Sequence, residues 1–231
     1  MPDIDYTAEH GTRPGYLAVP EGPGPWPGVV VIHDVRGMSA DVRGLVDRFA
    51  AAGFLTLAPN LFIGGNKIRC MFRAIESHFS GTGDAIDAIG AARDYLMADD
   101  RCTGKIAVAG FCFGGGLALV VAPNGQFDAA AANYGLIPKD LDSLEKSCPV
   151  VASFGSKDPI VKPGSALALQ EALTRHGVPN DVVEYQGVGH AFMNSAPLPN
   201  AVRRLMRMSY SGPEADDSWR RLFAFFDEYL C

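Results

Sequence analysis

The chain has little of what marks several protein classes. Its five cysteines, at positions 70, 102, 112, 148 and 231, are odd in number and include no C-x-x-C pair, which argues against a zinc knuckle and against a disulfide framework. Basic residues do not run together. With 20 Lys and Arg against 26 Asp and Glu, the net charge is -6, so nothing in the sequence would neutralise a phosphate backbone and nucleic acid is not expected as a partner. No uninterrupted apolar stretch approaches the roughly 20 residues that a membrane helix needs. Met1 to Thr7 carries Asp3 and Asp5 and lacks the basic and apolar regions of a secretory signal. These absences together lead us to expect a cytoplasmic protein that neither enters membranes nor holds a metal.

What is present fits one large α/β unit. The chain has 231 residues and 48% hydrophobic content, enough for a single buried core, so residues 1–231 are read as one domain. Short apolar runs recur along it: Gly15 to Val19, Val29 to Ile32, Phe54 to Ala58, Lys105 to Phe111, Ala129 to Tyr134, Val150 to Phe154 and Val182 to Tyr185. Each has the length and β-branched or small apolar content of a buried strand. Between them lie helical patterns. Ser39 can cap a helix carrying Val42, Leu45, Val46 and Phe49 and stopped by Gly53, and Asp84 to Met97 repeats apolar residues at helical spacing. Further helices are read at Leu117 to Val121, Ser165 to His176 and about Asp217 to Leu230. This alternation predicts right-handed crossovers and a mostly parallel, doubly wound sheet. Sites in such sheets gather at the carboxyl edge, which brings together the loops after Ile32, Phe111, Phe154 and Tyr185. Two segments, residues 60–83 and 187–216, exceed the usual connection of about 2 to 6 residues and are expected to fold over that edge as a partial lid.

The strongest local signal is Gly110-Phe-Cys-Phe-Gly114, a G-x-C-x-G at the junction of a buried strand and an apolar helix. It has the form of a nucleophile elbow with cysteine in place of serine. A nucleophile on so sharp a turn leaves no room for side chains two residues to either side, which accounts for the glycines. The following helix would direct free N–H groups at the sulfur, favouring thiolate, and the N–H of Phe113 could serve a developing oxyanion. A phosphate loop is the competing reading of Gly114 to Gly116, but no Lys-Ser/Thr follows them. A buried structural cysteine beside packing glycines is the plainer alternative. Its partners argue against it. Asp158, in Gly155-Ser-Lys-Asp-Pro159, and His190, in Gly187-Val-Gly-His-Ala-Phe192, each follow a predicted strand directly. The chain order nucleophile, acid, histidine is the order this architecture uses. Alone, the aspartate could merely begin a turn and the histidine could be idle. His33, at the end of an earlier strand, is the competing base.

With these residues in view, the sequence resembles the dienelactone hydrolase family, cysteine hydrolases of the α/β-hydrolase fold. The likeness rests on GFCFGGG at 110–116, GSKDP at 155–159, GVGHAF at 187–192, the VVVIHDVRG run, APNLF at 58–62 and Asn-Tyr-Gly at 133–135. It spans nearly the whole chain. By this resemblance Cys112, Asp158 and His190 match the family's triad, and Val35 would supply a second oxyanion N–H beside that of Phe113. Asp34 stands where the family has a carboxylate, usually glutamate, that contacts the resting cysteine. Family members acting on dienelactone hold the substrate's carboxylate with two arginines. Arg69 and Arg73 are the candidates for the first; the second position is Asn194, a departure that Arg36 could offset.

The expected activity is cleavage of a small ester or lactone without a cofactor, by a monomer or homodimer. A thioesterase or a carboxylesterase acting on neutral acyl groups is the alternative with the same machinery. A thiol redox sensor or binding protein, with Cys70 as resolving partner of Cys112, is the alternative of another kind.

Overall fold

The computed structural model describes residues 3–8, 11–63, 67–193 and 210–231. Eight strands form one sheet: β1 (Asp3–Ala8), β2 (Gly11–Ala18), β3 (Trp26–Ile32), β4 (Leu55–Pro59), β5 (Cys102–Phe111), β6 (Ala129–Asn133), β7 (Val150–Gly155) and β8 (Asn180–Tyr185). Their spatial order is β1-β2-β4-β3-β5-β6-β7-β8. The hairpin of β1 and β2, and the pairing of β2 with β4, are antiparallel. All pairs from β4 through β3 to β8 are parallel.

Six helices accompany the sheet: α1 (Ala40–Ala51), α2 (Lys67–Ser80), α3 (Asp84–Met97), α4 (Phe113–Val121), α5 (Ser165–Arg175) and α6 (Gly212–Leu230). The strand residues divide by alternation, as a pleat requires. Val30, Ile32, Val108 and Ala130 meet Ile89 of α3, Leu117 of α4 and Leu169 of α5 on one face. Their neighbours Val29, Val31, Ala107 and Ala129 meet Phe49 of α1 and Trp219 and Phe226 of α6 on the other. Covering both faces in this way explains why the central strands read as unbroken apolar runs. The architecture expected from the sequence, a mostly parallel sheet with helices on both sides, is the one observed.

The differences lie at boundaries and in two elements that the sequence pattern does not show, β1 and α2. The reading of Gly15 to Val19 as an isolated strand becomes the second arm of a hairpin, whose first arm, β1, alternates exposed and covered residues at the sheet's edge. The helix read from Leu117 begins four residues sooner, at Phe113, because close packing of Gly114 to Gly116 overrides their poor helix propensity. α6 begins at Gly212, not Asp217, with Pro213 in its first turn, where a missing N–H costs nothing. Ser39 caps α1 as read, its hydroxyl accepting from the N–H of Val42.

Candidate active site

β5 delivers Cys112 to the carboxyl edge. The residue sits between strand and helix with φ 57° and ψ -119°, a conformation rare for a side-chain-bearing residue. Its N–H donates to the carbonyl of Asn133 at 3.0 Å. The bend is tight enough to dictate its flanks: a Cβ on Gly110 would lie 1.9 Å from the Gly114 carbonyl oxygen, and one on Gly114 would lie 2.2 Å from that of Ile32. Glycine is the residue that fits either place.

Two other loops bring partners to the sulfur. His190, buried five residues past β8, places Nε2 3.0 Å from Cys112 Sγ. Its Nδ1 lies 2.7 Å from Asp158 Oδ2. The other oxygen of Asp158 accepts from the N–H groups of Ile160 and Val161 at 2.7 and 3.2 Å, so the carboxylate is held from two sides. Burial alone would depress the imidazole; the hydrogen bonds to Asp158 and Cys112 outweigh it and hold the His190 pKa up at about 9. Tyr134, buried just past β6 with φ 42°, sets its ring edge-on to His190 at 5.3 Å between centroids. Burial holds its phenol well above the usual tyrosine value.

Cys112, His190 and Tyr134 border a cavity of about 560 Å³. Val35 and Phe113 also line it, and the backbone N–H of neither has an acceptor among the described residues, which leaves both free for an oxygen in the cavity. α2 supplies Ile75, His78 and Phe79 to the wall. Part of segment 60–83 therefore does cover the carboxyl edge, whereas most of 187–216 lies outside the described residues.

His33 is excluded as a competing base by its bonds. It is buried, its Nδ1 engages the Asp34 carbonyl at 2.7 Å, and its Nε2 accepts from the Leu61 N–H at 3.0 Å. Burial lowers its pKa. Asp34 lines the cavity, but its carboxylate is taken up by Arg36: Oδ1 accepts from the backbone N–H at 2.8 Å, and Oδ2 from Nε and Nη2 at 2.8 and 2.6 Å. The contact with cysteine that the resemblance implied is not among its bonds. Arg69 and Arg73 are exposed on α2 and do not line the cavity. Asn194 lies outside the described residues. Cys70 is unpaired, its thiol donating to the Ile63 carbonyl at 3.1 Å. No group of metal-ligand residues occurs among the described residues, and no described helix is long and apolar enough to cross a membrane.

Sequence reasoning gave no role to His78 or Tyr134. The signal for Tyr134 was its place in Asn-Tyr-Gly directly after a strand. For His78 there was none, since nothing in α2 relates its register to the sheet.

The parallel sheet covered on both faces, with a sharp strand-to-helix turn presenting one side chain at its carboxyl edge, is the architecture of the α/β-hydrolases. Its profile matching residues 14–230, the chain belongs to the dienelactone hydrolase family. It is 31% identical to protein usf of Aquifex pyrophilus over 229 residues, 94% of this chain and 93% of that one. It is 27% identical to an Escherichia coli (strain K12) protein provisionally named carboxymethylenebutenolidase, over 94% of this chain and 82% of the other. Among solved structures, a provisionally named dienelactone hydrolase from Klebsiella pneumoniae superposes with a TM-score of 0.77 at 25% identity, covering 99% and 98% of the two chains. A dienelactone hydrolase-like promiscuous phosphotriesterase from metagenomic libraries shares the fold, with a TM-score of 0.81 at 24% identity over 100% and 98%.

Proposed function

We propose that the protein hydrolyses a small ester or lactone by two acyl transfers, first to Cys112 and then to water. The observation that carries this reading is the unbroken line from Cys112 Sγ to His190 to Asp158, with contacts of 3.0 and 2.7 Å, its first two members on the wall of a cavity large enough for a ligand. In the first step Sγ, its proton already held on His190 Nε2, bonds to the carbonyl carbon, and the former carbonyl oxygen becomes an oxyanion facing the N–H groups of Val35 and Phe113. Collapse of this intermediate breaks the bond to the leaving oxygen, which takes the proton from His190. An acyl thioester remains. In the second step His190 accepts a proton from water, the hydroxide adds to the thioester carbonyl, and the carbon–sulfur bond breaks to release the acid.

The elevated His190 pKa suits both halves. While the sulfur is free, it helps hold the imidazolium, a ready acid for the leaving oxygen. Once the sulfur is acylated, that support is gone and burial pulls the pKa down, leaving a base for water. Asp158 orients the ring throughout. These steps use no metal or organic cofactor.

The test is covalent trapping. Protein mixed with 4-nitrophenyl acetate and quenched in acid should carry an acetyl group on the peptide containing Cys112, with a burst of nitrophenol stoichiometric with enzyme. Cys112→Ala should lower kcat by at least about 10³-fold. Turnover persisting in that variant overturns the reading.

A further inference from the structure

Among the described residues, positive charge in the cavity wall is confined to a few groups, and each is balanced or absent. Arg36 is the guanidinium of the wall. Its Nε and Nη2 bond to Asp34 Oδ2, and Nη2 also reaches Asp41 Oδ2 at 2.7 Å. The guanidinium is thus already engaged by two carboxylates rather than held open for a third on a substrate. His190 turns one nitrogen to Asp158 and the other to the sulfur. His78 is buried in the wall with Nδ1 unpartnered, and burial lowers its pKa, so that at neutral pH the ring is uncharged. Arg69 and Arg73 stand outside the wall.

The rim points the same way. Val35, Phe79 and Leu136 line the cavity yet remain 44%, 59% and 40% exposed. Large apolar side chains left open to water at the mouth of a pocket are surface that a hydrocarbon can cover. The volume of about 560 Å³ also exceeds what an acetyl group needs, lying well within the roughly 300–1,000 Å³ of pockets that hold much larger ligands.

We infer that this site selects uncharged esters or lactones whose acyl part is a hydrocarbon long enough to run from Cys112 to the rim at Phe79 and Leu136, and that it discriminates against acyl groups ending in a carboxylate. The inference rests on the hydrolase reading above and names its substrate class. Each methylene that leaves water for this wall raises kcat/KM by up to about fourfold. A terminal carboxylate loses hydration there and finds no unengaged cation in return among the described residues of the wall.

The test compares kcat/KM for the 4-nitrophenyl esters of acetate, butyrate and hexanoate with that for mono-4-nitrophenyl glutarate, using the intact protein and its Cys112→Ala variant. Rates should climb from acetate to hexanoate, and the glutarate ester should fall at least about tenfold below the hexanoate. Phe79→Ser, an exposed change, should raise KM for hexanoate more than for acetate. Cys112-dependent hydrolysis that favours the glutarate ester, or that is flat from acetate to hexanoate, overturns this inference and leaves the hydrolase reading standing. Absence of Cys112-dependent hydrolysis of every ester overturns both.

Discussion

At Cys112 a side-chain-bearing residue holds a positive φ, and the surrounding backbone leaves no freedom at either flank. Gly110→Ala would force a Cβ to within 1.9 Å of a carbonyl oxygen on the same bend; we expect a loss of more than about 4 kcal/mol, read as a collapse of the urea midpoint or as failure to recover folded protein. A midpoint equal to the parent's would show that the bend can open. His190 offers a second measurement. Its pKa near 9 depends in part on the sulfur, so Cys112→Ala should make the ring titrate at lower pH, followed by the imidazole resonances in NMR. An unchanged titration would mean that the sulfur does not reach the ring. The same pKa fixes the sign of a stability effect. Because it lies above the ordinary value of 6.5, protonation of His190 stabilises the fold fully below about pH 6.5, and that contribution is lost as the pH rises through about 9. Thermal midpoints of the parent should therefore fall across this window more steeply than those of His190→Gln. Cys112, Asp158 and His190 could be singled out from sequence because each follows a strand closely and chain order is informative. Tyr134 carries a signal in its place directly after a strand but its ring's approach to His190 depends on an unusual backbone angle, and His78 carries none, since its place depends on how a helix rolls against the sheet.

At the scale of elements, legibility followed periodicity. The apolar spacing of α3 gives the bounds Asp84 and Met97 that the structure has, whereas β1 escapes the sequence because an edge strand covered on one side mixes polar and apolar residues. Side chains also tie elements together in ways no local pattern reveals. Arg221 of α6 bonds to the carbonyl and carboxylate of Asp181 in β8, the hydroxyl of Ser153 in β7 and the phenol of Tyr185. Asp181 is partly solvated, so its ion pair is weakened by water, but the bonds as a set join α6 to the two outermost parallel strands. Arg221→Met is expected to cost about 1–3 kcal/mol, measured by denaturant unfolding. Because Arg221 touches none of the groups around the sulfur, ester hydrolysis well below the unfolding midpoint should stay within about twofold of the parent.

For the molecule as a whole, aromatic packing concentrates on the face covered by α1 and α6. Phe49, Phe54, Trp219, Phe223 and Phe226 pack ring against ring there, with centroids 5.3 to 6.4 Å apart. Trp219 is fully buried, and its replacement by alanine should cost about 3–5 kcal/mol, while Trp219→Phe should recover much of that loss. Equal destabilisation by both would mean that ring packing is not what the position contributes. The sulfur, imidazole and carboxylate are carried on turns following β5, β7 and β8, while Ile75, His78 and Phe79 belong to one helix inserted between β4 and α3. On the proposed hydrolase reading that division makes α2 an exchangeable cassette: a foreign helix spliced between β4 and α3 would retune which acyl chains are accepted while Cys112, His190 and Asp158 stay where they are.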